Sequence, residues 1–501
     1  MWIKLLLLAV FFGVMIGVGF YTRRHATDVN GFVLGGRSVG PWLTAFAYGT
    51  SYFSAVIFVG YAGQFGWKYG IASTWIGIGN ALIGSLLAWV VLGRRTRIMT
   101  HHLDSSTMPE FFGKRYDSKA LKIAASVIVF LFLIPYTASL YNGLSRLFGM
   151  AFHIDYSVCV IVMAVLTGIY VIAGGYMATA INDFIQGIVM LFGIVAVIAA
   201  VLKGHGGFLA ALQGLAEIED SSVTTQPGAF ASFFGPDPLG LFGVVVLTSL
   251  GTWGLPQMVH KFYAIKSEKA INTGAVVSTV FAIIVAGGCY FLGGFGRLFS
   301  DRIDIAADGY DAIIPTMLSG LSDILIGIVV ILVLSASMST LSSLVLASSS
   351  TLTLDFIKDT MIQDMDEKRQ IFTMRLLIVV FIAISVVLAL VQYASNVTFS
   401  AQLMGVSWGA LAGAFHLVPG LLLKFLVWAL QVSDYFGCLP GSITHLSHFH
   451  GSLYITSMAS LGIPPIFHHL YDFGNVPVFW SFGRKRQAFE YQWDGTVARR
   501  R

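Results

Sequence analysis

Charge is what this chain has least of. Only 11% of its 501 residues are charged, against about 25% in a soluble domain, and its mean hydropathy is +0.78. That excludes an ordinary soluble globular protein. Cysteine is scarce as well. Cys159, Cys289 and Cys438 are scattered, which gives neither a disulfide framework nor a thiolate metal site. No nucleophile–base set, phosphate-binding loop or metal triad is present, so enzymatic catalysis has no support. The net charge of +5 comes from loop anchors and a basic tail, and it makes no case for nucleic acid.

What the chain does have is a series of long apolar runs. A hydrophobic segment crosses a bilayer in roughly 17–25 residues. Candidate spans lie at 3–21, 41–62, 71–93, 121–149, 156–178, 180–203, 238–261, 272–297, 322–352, 371–393, 398–415 and, weakly, 417–432. The expected class is an all-α polytopic membrane protein embedded in the lipid bilayer. The first run follows Lys4 but has no small-residue cleavage pattern before Thr22-Arg23-Arg24, so it reads as an uncleaved helix rather than a signal peptide. Basic residues follow alternate spans: Arg23, Arg24 and Arg37; Arg94, Arg95, Arg97, Lys114, Arg115, Lys119 and Lys122; Lys261, Lys266 and Lys269; Lys358, Lys368 and Arg369. Connections on the other side are poor in Lys/Arg, and two are acidic. The positive-inside rule then puts the basic loops in the cytoplasm and the amino terminus outside, in the cell (inner) membrane.

Two spans are interrupted. The second contains AYGTSYFSA (47–55), and the seventh contains TSLGTWGLPQ (248–257) with Gly251, Gly254 and Pro256 together. Proline removes a backbone donor, and freed carbonyls at membrane depth need protein, ions or water to satisfy them. One such break is an ordinary kink. Two, each opening a block of five spans, are the expected mark of an inverted-repeat transporter with its binding site at the breaks. The ninth span carries SASMSTLSSLVLASSS (335–350), where Ala336, Ser339, Thr340 and Ser343 share one helix face. Uncharged hard oxygens suit a weakly held monovalent cation. Such hydroxyls also let helices pack closely and bond back to their own carbonyls, which is the reading for Ser335, Ser337 and Ser348 to Ser350. Asp183, in ATAINDFIQ, reads either as a functional acid within the membrane or as a carboxylate stabilising a helix amino terminus.

The chain resembles the sodium/solute symporter family, closest to its bacterial sodium/proline and sodium/pantothenate branch. The matching stretches are LGGRSVGPWLTA (34–45), TMPEFFGKRYDSKALK (107–122), IAGGYMATAINDFIQ (172–186), GLPQMVHKFYA (254–264) and ASMSTLSS (336–343). The resemblance implies an inverted five-helix repeat of the leucine-transporter type with an extra amino-terminal helix, and sodium-driven uptake by alternating access, with Na+ as coupling ion. The expected organisation is an amino-terminal helix and loop (1–37), a first repeat (38–203), an extracellular connection (204–237), a second repeat (238–415) and an atypical tail (416–501). Carried over by position, a sodium ion would meet the carbonyls of Thr50, Phe53 and Ala336 and the hydroxyls of Ser339 and Thr340. In some relatives an acid at Asp183's position completes a second sodium site, for which Ser339, Ser342 and Ser343 are available.

The solute pocket is expected between the breaks, with Ser51, Tyr52, Ser54, Tyr136, Tyr141, Thr252, Trp253, Pro256 and Gln257 as candidates. The proline-transporter pattern has an aspartate at Tyr52's position and aromatics at those of Thr248 and Thr252. Those departures put proline itself in doubt and leave a small organic solute of the amino acid or carboxylate class, carried by a monomer. After residue 415 the family pattern decays. The tail holds HLSHFHG and PPIFHH and ends in RRR. It reads as a reading-frame shift near residue 416, with a divergent cytoplasmic or interfacial tail as the alternative. A histidine metal site comes third, because His445, His448 and His450 have no carboxylate or cysteine at a regular spacing. Two other functions compete with transport: a transporter-like solute sensor, and a non-functional product of a damaged gene.

Overall fold

The computed structural model describes residues 2–394, apart from 153–154, 222 and 306–308. The expectations for the spans at 398–415 and 417–432 and for the tail fall outside the described residues. Among those residues no β-strand forms, only two isolated bridges. Seven helices, or eight if a bent pair is one span, are long and apolar enough to cross a membrane.

The helices that frame the site are α1 (Trp2–Thr22), α2 (Pro41–Tyr52), α3 (Ala62–Tyr69), α4 (Thr74–Gly79) and α5 (Arg94–His102). They continue with α6 (Met108–Tyr116), α7 (Lys119–Phe152), α8 (Tyr156–Gly204), α9 (Pro238–Gly251) and α10 (Pro256–Ala264). The last three are α11 (Glu268–Gly293), α12 (Asp323–Thr351) and α13 (Glu367–Ala394). Local sequence sets several starts. Thr107 accepts from the Glu110 amide while the Glu110 carboxylate accepts from the Ser106 amide, a reciprocal cap. Asp237 caps α9 ahead of Pro238, and Ser267 caps α11.

The two interrupted spans break in the same way. Phe53 separates α2 from a π-helical turn (Val56–Tyr61) and α3, with φ −82° and ψ 117°. Leu255 separates the short 3-10 turn after α9 from α10, with φ −73° and ψ 121°, and the chain bends by 51° there. One extended residue thus breaks each half. Pro256 sits at the first position of α10, where its missing N–H costs nothing.

Two helical runs are too long for one crossing. Val56–His102 has 47 residues and α8 has 49. At about 1.5 Å per residue each would run roughly 70 Å if straight, against a hydrocarbon core of about 30 Å. Each run turns back at a glycine: Gly70 with φ 62° and ψ −145°, and Gly175 with φ 55° and ψ −143°. Only glycine enters that region readily. The expected spans at 156–178 and 180–203 are therefore two helical arms joined at the non-helical Gly175.

α12 packs mainly on α8 and α7, and every residue from Leu332 to Thr351 is buried. The hydroxyl-rich stretch therefore never meets lipid. The extra helix α1 lies against α8 and α12, and Lys4 pairs with Asp323 at the start of α12 at 2.8 Å. At the basic end, the Val39 amide donates to the Ala264 carbonyl (3.3 Å) and the Lys266 amide to the Val39 carbonyl (3.0 Å). These bonds join the start of α2 to the end of α10.

A Cβ at Gly175 would stand 2.7 Å from the Phe32 carbonyl, in addition to the strained backbone. Gly175→Ala is expected to destabilise the protein by about 1–3 kcal/mol. Thermal unfolding in detergent, read by size-exclusion of the surviving fraction, checks it. An unchanged midpoint would mean the turn does not need glycine.

Candidate functional site

The site is built from the orphaned end of α2. The last four carbonyls of a helix have no donor within it, and this end is buried. α12 passes beside it and supplies hydroxyls. Ser339 Oγ donates toward the Thr50 carbonyl at 3.2 Å, and Thr340 Oγ1 lies 3.3 Å from both the Thr50 and Phe53 carbonyls. Both hydroxyls also reach the Ala336 carbonyl of their own helix, at 3.1 and 3.0 Å. Three carbonyl and two hydroxyl oxygens converge, carry no formal charge, and belong to residues at most 1% exposed. The five positions named from the sequence are together.

Asp183 lies next to this cluster and is fully buried on α8. Its counter-charge is Lys261 of α10, with Nζ at 3.7 Å from Oδ2. The Lys261 ammonium donates to Ser343 Oγ at 3.0 Å and stands 5.1 Å from the centre of the Tyr176 ring. Ser343 and Ser51 share a hydroxyl–hydroxyl bond of 3.0 Å. Ser342 turns back to its own helix, donating to the Ser339 carbonyl at 3.0 Å.

The solute candidates divide into two groups. Thr252 donates to the carbonyls of Ser249 (2.7 Å) and Gly84 (3.2 Å), and Trp253 donates its indole N–H to the Ile83 carbonyl (2.9 Å). These two brace the second break against the neighbouring crossing. Ser54, Tyr141 and Gln257 instead have buried polar atoms with no hydrogen-bond partner, including both amide atoms of Gln257. Tyr52 and Tyr136 are buried as well. α7 runs close to the first break: a Cβ on Gly143 would lie 3.1 Å from the Ala55 carbonyl. Pro256 lines a small recess toward the basic end with Thr107, Met108, His260, Tyr263, Ala347, Ser350 and Thr351. Of the serines read as packing residues, Ser337, Ser349 and Ser350 bond back to α12 carbonyls, whereas the buried hydroxyls of Ser335 and Ser348 have no hydrogen-bond partner among the described residues.

A family model described as the sodium:solute symporter family matches residues 32–428, most of the chain. The chain belongs to that family. Sodium/proline symporters of Staphylococcus aureus strains JH9 and JH1 are each 32% identical to it over 367 residues, 71% of this chain and 69% of theirs. A Na+-coupled sialic acid symporter, solved in a substrate-bound outward-open state, superposes with a TM-score of 0.69. It covers 83% of this chain and 86% of its own at 17% identity, a likeness of fold. The symporter is thus a multi-pass membrane protein with the inverted five-helix repeat, and it couples solute uptake to Na+ rather than catalysing a covalent reaction.

Two residues of the site escaped the sequence reading. From the sequence Lys261 reads as a loop anchor, yet α10 runs on to Ala264 and all nine of its residues are buried. The available signal was an unpaired acid, Asp183, in an apolar helix, which calls for a buried base. Asn80 is the other. Its Oδ1 accepts from Thr248 (2.9 Å) and Ser249 (3.1 Å) and so anchors α9.

Removing one partner of a buried ion pair strands the other charge, at roughly 3–5 kcal/mol. In sodium-free choline buffer, Asp183→Asn and Lys261→Gln are each expected to destabilise the symporter by that order, and the double variant to recover most of the loss. Thermal unfolding of all three closes the cycle. Additive losses would contradict the pairing.

Proposed function

We propose that the coupling sodium binds where the broken helix meets α12, among the carbonyls of Thr50, Phe53 and Ala336 and the hydroxyls of Ser339 and Thr340. The observation that carries this reading is the convergence of those five buried oxygens around one helix break. Hard, neutral oxygens suit a monovalent cation that must leave again. A hydroxyl both donates and accepts. With no ion, the two hydroxyls donate to the carbonyls. When sodium arrives, their protons turn away and their lone pairs face it. Sodium therefore replaces contacts that hold the break together and orders the same segment from which solute is held.

We place the solute between the two breaks, against Ser54, Tyr141 and Gln257, whose buried polar atoms need partners. The Gln257 amide offers one donor face and one acceptor face, which match the carboxylate and ammonium of an amino acid. The named relatives carry proline, but Tyr52, where the proline pattern has an acid, supports a different small amino acid or carboxylate. Each ligand favours the same ordered arrangement, so sodium and solute raise one another's affinity. Alternating access then exposes both to the other side. The basic loops favour a cytoplasmic location for their end of the molecule, an amino terminus outside, and residence in the cell membrane. We further propose that residues 38–203 form the first repeat, that the second opens at residue 238, and that the working unit is a monomer.

A hydrogen bond to a charged group contributes about 1.5–3 kcal/mol. Ser339→Ala with Thr340→Ala is therefore expected to raise the sodium concentration for half-maximal uptake by about tenfold or more. Uptake of labelled amino acids and short carboxylates into proteoliposomes, with and without a sodium gradient, identifies the solute and supplies the assay. Wild-type sodium dependence in the double variant would refute the site.

A further inference from the structure

The place beside Asp183 already holds a cation, and that cation belongs to the protein. Asp183 is fully buried. Among the described residues, the one basic group within 4 Å of its carboxylate is the Lys261 ammonium, at 3.7 Å. That ammonium donates to Ser343 Oγ at 3.0 Å, and Ser343 in turn is bonded to Ser51 at 3.0 Å. The ammonium is therefore seated on one carboxylate and one α12 serine, the types of group that a second sodium ion would need. It also stands over the face of the Tyr176 ring, at 5.1 Å, which attracts positive charge.

We infer that Lys261 is a tethered cation that fills the Asp183 place permanently, so that the symporter binds one sodium ion per cycle rather than two. The charges decide it. A carboxylate buried without a counter-charge is strongly disfavoured, and the Lys261 ammonium neutralises Asp183. A second sodium arriving there would find no net negative charge to attract it and a positive charge already in place. It would have to displace the ammonium, which is fixed by its backbone to a fully buried helix. The tether also joins the parts of the site. Lys261 lies one helical turn beyond Gln257 on α10. Ser343 lies one turn beyond Ser339 on α12, and Ser51 directly follows Thr50. The fixed charge thus sits against the sodium-binding segment without occupying it.

The inference rests on the sodium site proposed above, and the test separates the two. Equilibrium binding of 22Na+ to the purified full chain, counted per folded molecule by scintillation proximity at pH 8, is expected to give one ion for the wild type. It should give none for Ser339→Ala/Thr340→Ala. Lys261→Gln, with folding verified by size-exclusion, is expected to bind two ions, because Asp183 then needs a counter-ion from solution. Asp183→Asn/Lys261→Gln, which removes both charges at nearly constant shape, is expected to bind one. Two ions on the wild type, a single ion on folded Lys261→Gln, or none on the neutral pair would each overturn the tethered-cation inference. An ion retained by Ser339→Ala/Thr340→Ala would instead refute the sodium site while leaving the count at Asp183 to be read from the other variants.

Discussion

A helix that stops in the middle of a membrane protein leaves carbonyl oxygens with no water to meet them, and the rest of this structure is arranged around that constraint. The end of α2 turns the Thr50 and Phe53 carbonyls toward α12, and the Ser339 and Thr340 hydroxyls answer them. A fully apolar α12 would pack as well, but would leave the break unsatisfied. A charged α12 would hold an ion too firmly to release it. Hydroxyls lie between these limits. They satisfy the carbonyls when alone and can turn to face a small cation when one is present.

The second break meets the same requirement differently. Leu255 is extended like Phe53, but its surroundings are braced by fixed protein contacts. Asn80 accepts from Thr248 and Ser249, and the Gly84 carbonyl accepts from Thr252. One break is thus met by hydroxyls of α12 while the other is braced by its neighbouring crossing. With sodium bound at the proposed site, such asymmetry within a symmetric architecture would give the carrier one element that responds to the ion and one against which it can move.

Charge is used as sparingly inside as the composition suggests. The interior of the site holds one acid and one base, Asp183 and Lys261, and they face each other. At the basic end a second buried acid, Asp355, accepts from Thr107 at 2.6 Å and lies 3.4 Å from Lys122. Lys122 also reaches Asp359 at 2.7 Å. In a low-dielectric interior neither carboxylate could stand alone, so each ties together helices distant in sequence. Asp183 joins α8 to α10, and Asp355 joins the start of α6 and α7 to the segment beyond α12.

Much of this was legible in the sequence. Low charge and long apolar runs determined the class, Gly251, Gly254 and Pro256 marked one break, and the spacing of Ala336, Ser339 and Thr340 picked out a face of α12 that does meet the other. These are local properties, written in composition and in the 3.6-residue period, and tertiary context does not alter them. What only the folded chain decided were partnerships across long separations. Lys261 reads as a loop anchor until α10 carries it inward to Asp183, 78 residues away in sequence. Asn80 reads as one polar residue in an apolar run until α9 lies beside it. Hydropathy shows that a polar group is buried, but the energy that fixes its role is a pair interaction. Which pairs form depends on how the helices turn at Gly70 and Gly175 and cross at the breaks.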